Sequence, residues 1–228
     1  MAIQAVLIDL DGTLVDSIPD LAEAANAMRV ELGLPVLPVA EIARYVGKGM
    51  HNLVQRAMLG QLELPPAPPP GFEQALAVFQ RAYHRVNGQC AQVYPGVETG
   101  LQRLKEQGLR LAVVTNKPTA FTLPLLEQLG LDGYFDAVVA GDTVARKKPD
   151  PLPLLHACAL LGVPAERALM IGDSMNDALA AEAAGCKVLL LPYGYNEGRD
   201  VRSLKSDGIV GSIVEAADWL ASAALSTD

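Results

Sequence analysis

Two carboxylates one residue apart, Asp9 and Asp11, follow the apolar run Ala5–Ile8 and lead into Gly12 and Thr13. In an extended backbone, side chains i and i+2 share a side, so Asp9 and Asp11 face one space while Leu10 turns away. Gly12 permits a tight turn or a positive φ, and Thr13 brings a hydroxyl and an N–H to the same space. A single Asp here would read as a turn or helix cap. Two like charges at the end of a buried strand are costly without a compensating cation, and hard divalent ions take such oxygen ligands.

Three further segments end in the same manner. "LMIGDSMND" places Asp173 at the end of an apolar run and Asp177 one turn later. Asp173 reads as a metal ligand, because two acidic strand ends can converge on one ion; helix capping is an adequate account of Asp177. "AVVTNK" supplies Thr115 and Asn116, and "ARKKPDP" supplies Lys147 and Lys148. Alone, each is weak: Thr ends many strands, and a Lys pair is usually a solvated face. Together, an Asp pair, a hydroxyl, a Lys and a further Asp form a constellation for phosphoryl transfer. The anion needs cations and hydrogen-bond donors before a carboxylate can attack it.

These side chains need a scaffold that gathers strand ends. Apolar runs recur at Ala5–Ile8, Leu111–Val114, Ala137–Ala140, Leu169–Ile171 and Val188–Leu191, with a weaker one at Ile209–Val210. Continuous runs of this kind suit strands of a parallel sheet buried on both faces. Helical patterns closed by Gly108, Gly130, Gly162 and Gly185 lie between them. The expected fold is α/β, a Rossmann-like doubly wound parallel sheet whose ligands gather at the carboxyl ends of its strands.

Between Ser17 and about Val93 no strand pattern is found. Helix patterns appear at 19–32, about 50–59 and 72–86, separated by "LPVLPVA" and "LPPAPPPG". About 75 residues are too many for an ordinary loop. The expected organisation is therefore a core of residues 1–16 and 94–228 with an inserted all-helical cap domain, 17–93, over the strand ends.

Composition narrows the function classes. Of 228 residues half are hydrophobic, and the net charge of −8 argues against nucleic acid as a partner. No apolar run approaches the length of a membrane span, and no basic stretch with a long apolar region precedes Asp9. Cys90, Cys158 and Cys186 form no CxxC pair, which suits a reducing compartment. A cytoplasmic protein, monomer or homodimer, is expected.

The motifs DLDGT, T-N, K-K-P-D-P and GDSMND, in this order, resemble the four motifs of the haloacid dehalogenase-like phosphatases, and the insert after DLDGT is similar to that family's helical cap. Within the family the chain most resembles the bacterial phosphoglycolate phosphatases, through "VYPGV", "TNKPTAFTLPLLEQLGL", "AGDTVARKKPDPLPLL", "MIGDSMNDALAAEAAG" and "PYGYNEG". The resemblance covers nearly all of the core to about Gly198 and is weaker over the cap. It implies a Mg²⁺-dependent hydrolase of a small phosphorylated metabolite, above all 2-phosphoglycolate. Asp9 would attack phosphorus and become an aspartyl-phosphate, and Asp11 would move the proton. Asp9, the backbone carbonyl of Asp11, and Asp173 would hold Mg²⁺, with Asp177 in support. Thr115, Asn116 and Lys148 would hold the phosphoryl group.

In the cap, Arg44 and Lys48 flank Gly47 and offer cations for a substrate carboxylate; ordinary surface charge is the competing account. Sugar phosphates as substrates, and a phosphoryl transferase like β-phosphoglucomutase, share Asp9 and Asp11 and stay open. A non-catalytic binding protein of the same fold is disfavoured, because every proposed catalytic group is present.

Overall fold

A computed structural model describes residues 2–225. Six strands form one parallel sheet: β1 (Ala5–Ile8), β4 (Arg110–Val114), β5 (Ala137–Val139), β6 (Ala168–Gly172), β7 (Lys187–Leu190) and β8 (Gly208–Ile209), in the spatial order β5-β4-β1-β6-β7-β8. The period-2 alternation of a strand divides its apolar residues between two layers. Val6 and Ile8 join Leu111, Val113, Leu169 and Ile171 on one face. That face is covered by α5 (Val97–Glu106), α6 (Thr119–Gln128) and α9 (Ile213–Leu225). Ala5 and Leu7 join Ala112, Val114 and Met170 on the other, beneath α7 (Leu152–Leu161) and α8 (Met175–Ala184). All four residues of β1 are fully buried, as expected for the middle of a doubly covered parallel sheet.

The helices α1 (Ile18–Glu31), α2 (Val39–Ala43), α3 (Met50–Leu59) and α4 (Phe72–Val86) have an apolar cluster of their own, built on Met28, Ile42, Val54, Phe79 and Tyr83. In α4 the residues Phe72, Ala75, Leu76, Phe79, Tyr83 and Val86 are all buried, the helical stripe expected from their spacing. Two details differ from the sequence reading. Val39–Ala43 is helical from the end of the first Pro-rich break onward, because Pro38 sits at its N-cap rather than in its interior. Gln92–Val93 forms a short strand, β3, pairing antiparallel with β2 (Val15–Asp16). Two residues are too few for a periodic signal. This ribbon carries the chain out of the sheet and back. Buried Asp20 on α1 accepts the backbone N–H groups of Gly88, Cys90 and Ala91 beside it. Among the described residues no helix is long and apolar enough to cross a membrane.

Candidate active site

Strand register assembles the site. Ile8 lies between Val113 of β4 and Ile171 of β6, so the residues just beyond these strands meet at one edge. The Asp9 N–H donates to the Ile171 carbonyl at 3.0 Å, which keeps Asp9 in register with β6 after β1 has ended. Thr115 and Asp173 follow on either side.

Asp9 Oδ1 accepts from its neighbour's N–H, on Leu10, at 2.7 Å, and Oδ2 lies 3.1 Å from Lys148 Nζ. Lys148 Nζ also donates to Asp177 Oδ1 at 2.7 Å. The second oxygen of Asp177 takes the N–H of Ser174 at 3.1 Å and its hydroxyl at 2.7 Å. Asp177 therefore both caps α8 and anchors Lys148. Asp173 accepts from the Thr13 hydroxyl at 2.6 Å on one oxygen and from the Tyr195 N–H on the other.

One oxygen each from Asp9, Asp173 and Asp177 lies within 4.8 Å of the others. Lys148 is the one ammonium bonded to any of them among the described residues. Three carboxylates against one ammonium leave two negative charges, and the proton affinities record the imbalance. Burial, and then the charge of Asp177, push the Asp9 carboxyl up to about 7 against the pull of Lys148. Burial, followed by the charges of Asp177 and Asp9, raises Asp173 well above the ordinary carboxylate range. Burial alone would lower Lys148, but Asp177 and then Asp9 hold it up. The residues fit a hard divalent cation: the donors are oxygens and the uncompensated charge is of the right sign and size. Glycine keeps the space open. At Gly12 (φ 88°) and at Gly194 an added Cβ would overlap the Asp173 carboxylate.

Asp11 turns elsewhere. Its two oxygens lie 3.1 and 3.3 Å from Lys117 Nζ, which also donates to the Tyr83 hydroxyl and sits 4.8 Å from the centre of that ring. Burial would lower the Lys117 ammonium, but Asp11 and Tyr83 together raise it above its ordinary value. Lys117 and Tyr83 line the same cavity as Asp11, and the sequence reading passed over both. The signal was available: Thr115 and Lys117 stand in the same i, i+2 relation that grouped Asp9 with Asp11.

Thr115 is buried, and its oxygen accepts the Lys117 N–H at 3.2 Å. The Asn116 amide donates to the Lys148 carbonyl and to the Gly47 carbonyl of the helical cap, each at 2.9 Å. Asn176 reaches the same Gly47 carbonyl at 3.3 Å. Between core and cap lies a void of about 470 Å³ including its mouth and the solvent beyond it. Its floor is Asp9, Asp11, Thr115, Asn116, Lys117 and Pro118; its roof is Leu21, Val46, Met50, Leu53, Phe79 and Tyr83, with Gly47 and Gly49 at the edge. Arg44 and Lys48 are not among the residues that line it. Lys48 pairs with Glu197 at 2.8 Å, beside Arg56 at 2.6 Å from the same carboxylate oxygen; Arg44 is exposed, alongside Gly198.

The chain is similar to known proteins over most of its length. Residues 3–185 match the family model of the haloacid dehalogenase-like hydrolases. A phosphoglycolate phosphatase of Nitrosospira multiformis is 50% identical over 95% of both chains, and one of Thiobacillus denitrificans is 48% identical over 95% of both. A crystal structure from Haemophilus somnus, described as a predicted phosphoglycolate phosphatase, superimposes with a TM-score of 0.84 at 33% identity, covering 95% of this chain and 97% of that one.

Proposed function

The chain belongs to the haloacid dehalogenase-like hydrolases and is a hydrolase of phosphoric monoesters; from that premise we propose that its substrate is 2-phosphoglycolate, cleaved to glycolate and phosphate through a phosphorylated Asp9. The observation that carries the reading is Asp9 itself. It faces a roofed cavity with a second carboxylate two residues away and the Lys148 ammonium 3.1 Å from its oxygen.

In the first step Asp9 attacks phosphorus, the bond from phosphorus to the glycolate oxygen breaks, and Asp11 gives its proton to the departing alkoxide. In the second, Asp11 takes a proton from water, the water oxygen attacks phosphorus, and Asp9 leaves as a carboxylate with phosphate set free. The Thr115 hydroxyl, the Asn116 backbone N–H and Lys148 hold the phosphoryl oxygens throughout. Asp9, the backbone carbonyl of Asp11, and Asp173 would hold Mg²⁺, with Asp177 fixing its surroundings through Ser174 and Lys148. Bound there, the ion supplies positive charge that lets a carboxylate meet an anionic phosphoryl group. Residues 17–93 act as the cap, whose roof keeps bulk water from the phosphorylated intermediate.

The test is phosphate release, with Mg²⁺, from 2-phosphoglycolate and from a panel of sugar and short-acid phosphates, with Asp9→Asn as the blank. A lead for 2-phosphoglycolate of about 100-fold or more in kcat/KM is expected. A sugar phosphate in the lead would overturn the substrate. Turnover no faster than the blank would overturn the chemistry.

A further inference from the structure

A phosphomonoester that also carries a carboxylate brings two anionic groups into the void, and the floor must answer both. The phosphoryl end has Lys148, which is bonded to Asp9 and Asp177 beneath the floor and is not among the lining residues. Among the described residues Lys117 is the one cationic side chain that lines the cavity. Arg44 is exposed and Lys48 is paired with Glu197, while the ammonium of Lys147 lies beside Gly49 at the edge. The roof above is apolar apart from the Tyr83 hydroxyl, which already accepts from Lys117.

An ammonium has three N–H donors. Asp11 shares one of those of Lys117 between its two oxygens and Tyr83 takes another, which leaves one. The Lys117 side chain is 3% exposed, so water does not compete for it as it would at a surface. Its position is fixed from three sides: the backbone beside Thr115, the Asp11 carboxylate and the Tyr83 ring. A fixed, desolvated cation with one donor to spare, two residues from the phosphoryl-binding Thr115, is placed to bind a small anionic group separated from phosphorus by a short linker.

We propose that Lys117, rather than Arg44 or Lys48, binds the substrate's carboxylate and so selects phosphomonoesters of short hydroxy acids over neutral ones of the same size. This rests on the reading of 2-phosphoglycolate as substrate. Tyr83 is then a positioning residue that sets the Lys117 ammonium by its ring and hydroxyl, and the apolar roof limits the length of the acid.

The experiment compares kcat/KM for 2-phosphoglycolate and for 2-hydroxyethyl phosphate, which replaces the carboxylate by a neutral group, in the full-length Mg²⁺-loaded protein. The wild-type ratio tests the substrate reading, and the ratio in Lys117→Met tests Lys117. Because Lys117 also touches Asp11, the variant should lose activity on both substrates, but the ratio should fall by about 30- to 100-fold, mostly through KM for 2-phosphoglycolate. Lys147→Met should keep the wild-type ratio. An unchanged ratio in Lys117→Met overturns the proposal. If Lys117→Met is inactive on both, Lys117→Arg decides: a retained ratio supports a carboxylate-binding cation, and loss of the ratio, or of both activities again, assigns Lys117 to the common chemistry instead. A wild-type ratio near one removes the substrate reading, and this inference with it.

Discussion

The floor and the roof of the cavity are built by different rules. The floor comes from strand ends of one sheet, is polar, and is crossed by short ion pairs from Lys148 to Asp9 and Asp177 and from Lys117 to Asp11. The roof comes from helices of the insert, is apolar, and offers one hydroxyl. Backbone hydrogen bonds of the sheet fix the floor to within fractions of an ångström, which nucleophilic chemistry needs. Side-chain packing fixes the roof, and contacts through Gly47, Tyr83 and Glu197 join it to the core. Reactivity should therefore fail when the floor is altered, and affinity and stability when the roof is.

The largest contrast is expected at Asp9. Asp9→Asn keeps the volume and removes the proposed nucleophile, so kcat should drop by about 10⁴-fold or more with the fold intact by circular dichroism. Residual turnover within tenfold of wild type would put the nucleophile elsewhere. Lys148→Met comes next. It leaves Asp9 and the fully buried Asp177 without their cation, and removing one partner of a buried pair costs about 3–5 kcal/mol. Urea denaturation in EDTA should show a loss of about 3 kcal/mol, alongside a fall in kcat of about 10³-fold. Phe79→Ala is the roof counterpart. Its ring is fully buried, 5.6 Å from that of Tyr83, and truncation should cost a similar 3–5 kcal/mol. Its activity loss should fall on KM and stay within about tenfold. If Phe79→Ala reduced kcat as much as Lys148→Met, the division between floor and roof would collapse.

The same division explains what could be read from the chain. The floor was legible because strands mark themselves by apolar runs, and the residue after a run is a strand end by definition; Asp9, Thr115 and Asp173 were found so. Lys148 was legible only beside the other motifs, since nothing local shows that it is buried. Lys117 was passed over because its partner Tyr83 reads as one more apolar position of an amphipathic helix, and no spacing rule links residues on separate elements. Arg44 and Lys48 illustrate the converse. Their charge and the adjoining glycines suggested a ligand, but Glu197, far along the chain, takes Lys48. The Gln92–Val93 strand is too short to carry a period.

Protonation sharpens the comparison, because the uncompensated charge is on the floor alone. With its carboxyl raised to about 7 from 3.8, Asp9 binds more protons in the folded than in the unfolded protein between these values. Its contribution to stability is therefore present at low pH and lost as pH rises through about 7; Asp173 acts in the same direction. Thermal unfolding in EDTA should show Tm falling from pH 5 to pH 8 on this account. Mg²⁺ held by these residues would bind the ionised carboxylates, so the increase in Tm on adding it should grow over the same interval, with protons released on binding. A Mg²⁺ effect independent of pH would mean that these carboxylates are not the ligands.

The smallest effect is expected where roof and floor meet at the rim. Glu197, on the loop after β7, has a φ of 52°, a conformation that costs a non-glycine residue roughly 1–2 kcal/mol. Its carboxylate reaches Lys48 at 2.8 Å and the buried Arg56 at 2.6 Å; against the upward push of burial, hydrogen bonds from these two hold its carboxyl below the ordinary value. Glu197→Gln keeps the backbone strain and the shape but loses the charge, so the rim should open more readily. KM should rise about threefold to tenfold with kcat nearly unchanged, and the difference from wild type should shrink at high salt. Glu197→Gly separates the two contributions. It relieves the left-handed strain, worth about 1 kcal/mol, but leaves the buried Arg56 without its carboxylate, so global stability should fall by about 2 kcal/mol or more even as KM rises at least as far as in the Gln protein. A folded Gly protein with wild-type KM would show that the rim pair takes no part in holding the roof over the floor, and that the other contacts between them, among them those of Gly47, Tyr83 and Asn87, suffice.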